Sequence, residues 1–457
     1  MIKEKFRTYL EEAIGSENAL VAFSAFEEPA QVSVRFNPFK KKPEISGEAI
    51  PWNPHGLLLP ERPSFTLDPY MHGGAYYVQD SSSMFVGYMF RKCLDELDVP
   101  GDRPVRVLDL CAAPGGKSTD LAASLRERFG DRFILVSNEV MKQRVVVLAD
   151  NMALWGDPNV VVTSDDPRAF ASCTDFFDII VTDVPCSGEG MFRKDESAQE
   201  QWSDDNVTLC EARQRRIIAD MWPALRKDGF LVYSTCTFNR MENDGNVEWI
   251  IEDLGARCVT DEHPGWDLHG VIKTTHGYSL VPGHVKGEGQ YCSVLVKTSE
   301  SPWVENKRKD TVKPSQKSQL PSELKNLFSK DVKLRTKGET VTAIPSVCAY
   351  DVAYLESRLH LIAAGCAIGV LKGKGLVPDA DLALSLMLAE DAFPQIDVDR
   401  TTALEFLHKD VIKLDDAPLG YVIIRYEGLP IGFVKNLGNR CNNLHPQGRR
   451  IRMDIRR

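Results

Sequence analysis

Apolar and charged positions between Lys3 and Ala13 follow the period of an amphipathic helix, and Val32–Phe36 then reads as a short strand. A proline-rich stretch through Pro69 promises little regular structure. Gly73-Gly74 leads into Ala75–Met84, where Asp80 or a following serine is placed to cap a helix through Leu94. From about residue 105 the pattern changes to strands alternating with helices. Val105–Leu110, Phe133–Ser137, Asn159–Thr163, Asp178–Thr182 and Gly229–Ser234 are strand candidates. Lys117–Phe129, Met141–Trp155, Glu211–Arg226 and Glu242–Leu254 are helix candidates, with Tyr291–Lys297 strand-like at the end. Such alternation implies right-handed crossovers and a mostly parallel, doubly wound sheet. Further on, a short helix is expected near Pro321–Phe328, strands at Thr340–Pro345, Ala364–Leu371 and Tyr421–Tyr426, and a helix at Asp379–Leu388.

The chain has 457 residues, more than one core usually supports, so two to four domains are expected. Hydrophobic residues make up 43% and charged residues 26%, which excludes a disordered or fibrous class. No stretch approaches the ~20 apolar residues that span a bilayer, and Met1–Arg7 starts no signal-peptide core. A cytoplasmic, membrane-free monomer is expected. The net charge of −10 argues against nucleic-acid binding over the whole surface, but the charge is uneven. Val304–Lys337 holds ten Lys/Arg against four Asp/Glu, and Lys435–Arg457 seven against one. Local docking on a polyanion fits both runs, as does solvated surface.

Eleven scattered cysteines with no Cys-x-x-Cys pair argue against a disulfide framework or a zinc ribbon, and no metal is expected. Two of them stand out by position. Asp178–Thr182 runs into Asp183-Val184-Pro185-Cys186-Ser187-Gly188-Glu189-Gly190, and Phe230–Ser234 runs into Thr235-Cys236-Thr237. Adjacent parallel strands would deliver Cys186, Cys236 and Asp183 to one sheet edge. The same edge receives the end of the first strand, Cys111-Ala112-Ala113-Pro114-Gly115-Gly116-Lys117, a small-residue turn that lets backbone approach a ligand closely. It matches neither the dinucleotide fingerprint nor the P-loop. Glu139, at the tip of the second strand, is placed to accept ribose hydroxyls of a nucleoside cofactor, and Asp166, after the third, to accept from an adenine amino group.

Together, Cys-Ala-Ala-Pro-Gly-Gly-Lys, Asp-Val-Pro-Cys-Ser-Gly-Glu-Gly and Ser-Thr-Cys-Thr resemble the signature motifs of the NOL/NOP/Sun family of RNA cytosine-5 methyltransferases. Met191–Asp195 and the C-terminal segment, Gly432–Arg440 with Asn443 and Pro446, are similar to the bacterial RsmF-type branch acting on small-subunit ribosomal RNA. The resemblance implies a Rossmann-like α/β methyltransferase domain using S-adenosyl-L-methionine. It implies an N-terminal RNA-binding α+β extension over 1–100, the methyltransferase domain over 101–300, a basic linker over 301–340 and a C-terminal RNA-binding region with a PUA-like module over 341–457.

By the same resemblance Cys236 attacks C6 of cytosine, Cys186 assists product release, and Asp183 hydrogen-bonds the base and contributes to the cofactor site. Cys111, Ala112, Ala113, Pro114, Gly115, Gly116 and Lys117 hold the cofactor with Glu139 and Asp166. Lys117 either holds the cofactor or lowers a nearby thiol's pKa. Arg193 and Lys194 are candidates to grip the target strand. The implied partner is 16S ribosomal RNA or the small subunit, with tRNA as the alternative. Retention of both cysteines speaks against a non-catalytic assembly factor. A DNA methyltransferase would attack from its Pro-Cys cysteine, here Cys186, so the added Thr-Cys favours RNA. Val184 and Thr237 depart from the family's usual Ala and Ser, and 282–289 lacks the Pro-His that commonly opens that motif.

Overall fold

The computed structural model describes residues 4–99, 101, 103–262, 268–301, 320, 322–373, 375–414 and 416–456. Lys3 of the first expected helix, nearly half of the expected basic linker (302–319 and 321) and Arg457 lie outside the described residues.

The N-terminal segment forms α1 (Glu4–Ile14), α2 (Ser16–Ala25), β1 (Val32–Phe36), β2 (Glu48–Ala49), β3 (Gly56–Leu59), α3 (Pro69–His72), β4 (Tyr76–Val78) and α4 (Phe85–Glu96). Its antiparallel sheet runs β2-β3-β1-β4. Two of these strands fall in the proline-rich stretch expected to be irregular. They are two and four residues long, too short for alternation to register, and are held by pairing, β3 with β1 and β2 with β3. On α1, Phe6, Leu10 and Ile14 recur every four residues and are buried. They meet Phe192, Trp202 and Phe238, so the first helix packs against segments that follow each of the two candidate cysteines.

The central unit comprises β5 (Val105–Asp109), α5 (Gly116–Phe129), β6 (Phe133–Asn138), α6 (Lys142–Trp155), β7 (Val160–Thr163), β8 (Phe177–Asp183), α7 (Glu196–Gln201), α8 (Asp204–Met221), β9 (Leu225–Thr235), α9 (Asp244–Leu254), β10 (Ala256–Cys258), β11 (Ile272–Lys273), β12 (Tyr278–Leu280) and β13 (Gln290–Lys297). Strands β5 to β9 are mutually parallel, in the order β9-β8-β5-β6-β7. Both faces are covered, which explains the unbroken apolar runs: Val107 and Leu135 enter one core, Leu108 and Val136 the other. The chain leaves β5 toward β6 on one side and returns to β8 on the other. That reversal places the switch point of the sheet between the ends of β5 and β8.

The expected helix Glu211–Arg226 is shifted. Ser203 caps α8 by accepting from the Asn206 N–H at 3.2 Å. The helix stops before Trp222-Pro223, where proline supplies no N–H. Strand β9 therefore begins earlier than expected, at Leu225.

The remaining chain forms β14 (Val332–Lys337), β15 (Thr340–Pro345), α10 (Ala349–Glu356), β16 (Leu361–Ala364), β17 (Cys366–Lys372), β18 (Gly375–Pro378), α11 (Ala380–Leu384), β19 (Gln395–Val398), α12 (Arg400–His408), β20 (Gly420–Tyr426), β21 (Leu429–Asn436) and β22 (Cys441–Asn443). Two four-stranded sheets result, β14-β15-β17-β18 and β19-β20-β21-β22. The single strand expected over Ala364–Leu371 is broken at Gly365, whose φ of +70° turns the chain. As a result β16 pairs antiparallel with β7 and extends the central sheet. Cys348, Val352 and Leu355 of this region join the same core as Ile134 and Val161. No helix among the described residues is long and apolar enough to cross a membrane.

Candidate active site

The turn after β5 is fastened from below by one buried carboxamide. Asn138, ending β6, donates to the carbonyls of Leu110 (3.1 Å) and Asp165 (3.0 Å) and accepts from the Asp165 N–H and the Thr163 hydroxyl. The loops after β5, β6 and β7 are thereby locked together. Gly115 adopts φ +114°, and a Cβ there would lie 2.8 Å from the Met152 methyl. Cys111–Pro114, Gly116 and Lys117 then form one wall of a cavity of about 370 Å³. Asp183, Cys236 and Gln290 face them, and Tyr77 and Ser83 close the N-terminal side.

Neither Glu139 nor Asp166, the acids expected to hold the cofactor's ribose and adenine, lines this cavity, and they differ in how they are held. Glu139 is buried, accepts from the Met141 N–H at 2.8 Å and pairs with Arg144 at 3.1 Å. Arg144 also donates to the Ala113 carbonyl at 2.6 Å, which ties Glu139 to the turn. Asp166 is half exposed, caps its own short turn by accepting from the Arg168 N–H, and lines a separate depression with Arg216 and Asp220 rather than the cavity. Cys111 receives a hydrogen bond from the Thr182 hydroxyl, and burial pushes its thiol up to about 12, so it stays protonated.

Asp183 is in register with Ser234 on the neighbouring strand, so the two cysteine loops leave the sheet side by side. Their sulfur atoms lie 3.0 Å apart. Cys236 lines the cavity and Cys186 does not. The hydrogen bond to Cys236, burial and the nearby Glu242 and Asp183 carboxylates hold the Cys186 thiol well above its ordinary range. Lys117 Nζ donates to Asp183 Oδ2 at 2.8 Å and Ser83 Oγ at 3.0 Å. Burial pulls the lysine down, but the Asp183 carboxylate outweighs it and its pKa ends above the usual value. Lys117 is thus a fixed cation between the turn and the cysteine edge. Thr237, which replaces the family's usual serine, still meets the Ser187 hydroxyl at 2.9 Å.

Two glutamates not singled out from the sequence lace these loops. Glu189, on the Cys186 loop, accepts from the N–H groups of Phe238 (2.8 Å) and Asn239 (3.0 Å), just after Cys236. Glu242, beyond Cys236, accepts from the Ser187 N–H (3.0 Å), Asn239 Nδ2 and Gln214 Nε2 (2.7 Å). Gly190 donates to the Cys236 carbonyl at 2.9 Å, and a Cβ on it would sit 2.8 Å from that oxygen. The sequence signal for Glu189 was its place between two glycines in a loop otherwise short of charge. Arg193 does not face the target strand as expected. It is buried in a paired contact with Glu288, at 2.8 and 3.0 Å, and donates to the Gly287 carbonyl. Lys194 remains at the cavity, 3.0 Å from Asp80.

Burial raises Glu242 to about 7, despite the hydrogen bonds it accepts. Between its unfolded value of 4.5 and about 7 the folded protein therefore binds the extra proton. Stability falls as pH rises through that window, by about 3 kcal/mol for this group, and the slope ends above about pH 7. Urea unfolding midpoints at pH 5 and pH 7.5 should differ less in Glu242→Gln than in the parent chain. An unchanged difference would show that Glu242 is not the group responsible.

Residues 99–296 match the family model for 16S rRNA methyltransferase RsmB/F, residues 2–81 that for the N-terminal domain of 16S rRNA methyltransferase RsmF, and residues 393–451 that for the methyltransferase RsmF PUA domain. A protein of Escherichia coli O157:H7 named ribosomal RNA small subunit methyltransferase F is 30% identical over 394 residues, covering 82% of this chain and 78% of its own length. The chain belongs to the 16S rRNA methyltransferase RsmB/F family. An RsmB/F relative of the same name from Serratia proteamaculans is 29% identical, with coverage of 88% and 84%. The solved NSun6 from Pyrococcus horikoshii with SFG shares the fold, at a TM-score of 0.51 and 18% identity, covering 65% of this chain and 99% of that one. Membership in RsmB/F makes the protein an RNA methyltransferase with a Rossmann-like methyltransferase domain, an N-terminal domain and a C-terminal PUA-like domain.

Proposed function

We propose that the chain methylates C5 of a cytosine in 16S ribosomal RNA, with S-adenosylmethionine as donor and Cys236 as covalent nucleophile. The observation that carries this reading is the placement of Cys236 on the cavity wall, opposite the 111–117 turn and beside the Lys117–Asp183 pair. The names of the relatives supply the substrate class. SFG, held by the NSun6 structure, is an analogue of the donor.

The turn suits a nucleoside donor on physical grounds. The turn lines the cavity with the small residues Ala112, Ala113 and Gly116, Gly115 lets it pack closely on α6, and Glu139 is fixed one strand away. Asp109, directly before the turn, is buried with Oδ1 lacking a hydrogen-bond partner among the described residues. When bound, S-adenosylmethionine supplies the methyl group as an electrophile and keeps the electron pair of the broken carbon–sulfur bond.

Cytosine C5 is a weak nucleophile until the Cys236 thiolate adds to C6 and pushes the C5–C6 pair onto C5. Asp183, held by Lys117, Ser234 and Gln290, is oriented toward the base edge, where stabilising a proton at N3 makes C6 more electrophilic. After C5 has passed its proton to water, the C–H pair re-forms the C5–C6 double bond and expels Cys236, and Cys186 supplies a thiol proton to the departing sulfur across 3.0 Å. The base must leave any stack to enter the cavity. The PUA-like domain and the basic runs would hold phosphates, making affinity salt-dependent.

The test is transfer of labelled methyl from S-adenosylmethionine to small-subunit RNA, naked or within the subunit, with bisulfite mapping of the product. Label in 5-methylcytosine is expected. No incorporation into either substrate, or label outside C5, would sink the proposal.

A further inference from the structure

Gln290 opens β13 on the cavity wall yet is only 2% exposed. Its Nε2 donates to the Thr235 carbonyl at 2.9 Å and to Asp183 Oδ1 at 3.2 Å. Both partners are acceptors, so the carboxamide has one orientation. That leaves Oε1 as an acceptor. Among the described residues nothing donates to it, and the oxygen keeps some accessible surface on a residue that lines the cavity. A fixed carbonyl thus stands beside Asp183 on the wall that also carries Cys236.

We infer that Gln290 is a specificity-determining residue that accepts a hydrogen bond from the exocyclic 4-amino group of the target cytosine. The inference rests on the cytosine reading above. Of the two pyrimidines in RNA, cytosine presents an amino donor at C4 and uracil a carbonyl acceptor. Oε1 cannot turn to meet uracil, because rotation would break both donations and set Nε2 against the cavity instead. A site built around one hydrogen bond rejects the base that lacks the matching donor. Gln290 also draws Asp183 toward the same base edge, so recognition and activation share one contact chain.

The experiment is a cycle of two changes in the full chain with small-subunit RNA assembled by splinted ligation. The protein carries Gln290 or Gln290→Met, and the mapped target nucleoside is cytidine or pyrimidin-2-one riboside, which lacks the amino group. Gln290→Met is expected to lower kcat/KM on cytidine by roughly 10- to 100-fold. Removing the amino group should cost the parent chain a similar factor, and the variant much less. Donor affinity by calorimetry should stay close to the parent's, and the thermal midpoint should fall by only a few degrees, so both chains are compared folded. Losses that simply multiply, or a variant with full activity on cytidine, would overturn the inference while leaving the proposed function standing. A parent chain that methylates no cytidine overturns the proposed function, and this inference with it.

Discussion

Cys236→Ala is expected to lose methyl transfer by more than about 10⁴-fold and to form no covalent species with RNA, because no other thiol on the cavity wall can replace it. Cys111 also lines the cavity, on the opposite side, but is held protonated by burial. Cys186→Ala is expected to behave differently, forming the adduct and then failing to release it. Its thiol is 3.0 Å from Cys236, is kept protonated, and lies off the cavity wall. Those are the properties of a proton donor to a leaving thiolate rather than of an attacking group. Denaturing electrophoresis with labelled RNA separates the cases, since a persistent protein–RNA band should appear for Cys186→Ala alone. A band from Cys236→Ala instead would exchange the two roles, and normal turnover by Cys186→Ala would remove Cys186 from the release step.

Much of this site could be read from the sequence because its parts sit at strand ends, and strand ends are marked by a change from apolar runs to small and polar residues. Asp183, Cys186 and Cys236 were expected at one edge, and the register of β8 with β9 puts them there. The turn at 111–117 was legible for the same reason. Contacts between loops distant in sequence were not. Arg193 looked like a free cation, and only the fold brings Glu288 to it, 95 positions later. Asp166 was placed by its position after a strand, and what the sequence did not show is that one of its oxygens caps the next turn. Gly365 was read as part of a strand because neither neighbour signals a break. Only its φ shows that the chain leaves one sheet and enters another there. The N-terminal strands stayed hidden because pairing, not pattern, stabilises two to four residues.

Glu189→Ala should show how far the distance between the cysteines depends on the lace beneath them. The carboxylate accepts from Phe238 N–H, Asn239 N–H, Asn239 Nδ2 and Trp202 Nε1, all within 3.0 Å and all buried. Alanine takes the acceptor from three of these donors, the two backbone N–H groups and Trp202 Nε1, while Asn239 Nδ2 keeps Glu242 at 2.8 Å. With each buried unpaired group costing about 1–3 kcal/mol and partial relaxation by water, a loss on the order of 4 kcal/mol in unfolding free energy is expected. Activity should fall further than stability alone explains. Phe238 and Asn239 directly follow the Cys236 segment, and a shift of about 1 Å in a reacting atom is worth about 100-fold. Binding of S-adenosylmethionine should change little, because the 111–117 turn is held by Asn138 and Arg144 and not by Glu189. Glu189→Gln keeps one carbonyl acceptor but turns an NH₂ toward other donors, so it should fall between alanine and the parent. Chemical denaturation, donor calorimetry and single-turnover methylation measured on the same preparations separate these effects. If Glu189→Ala kept single-turnover rates within about threefold at a temperature where it is folded, the lace would be a stability element only. The 3.0 Å between the sulfurs would then have to be set by the strand register alone.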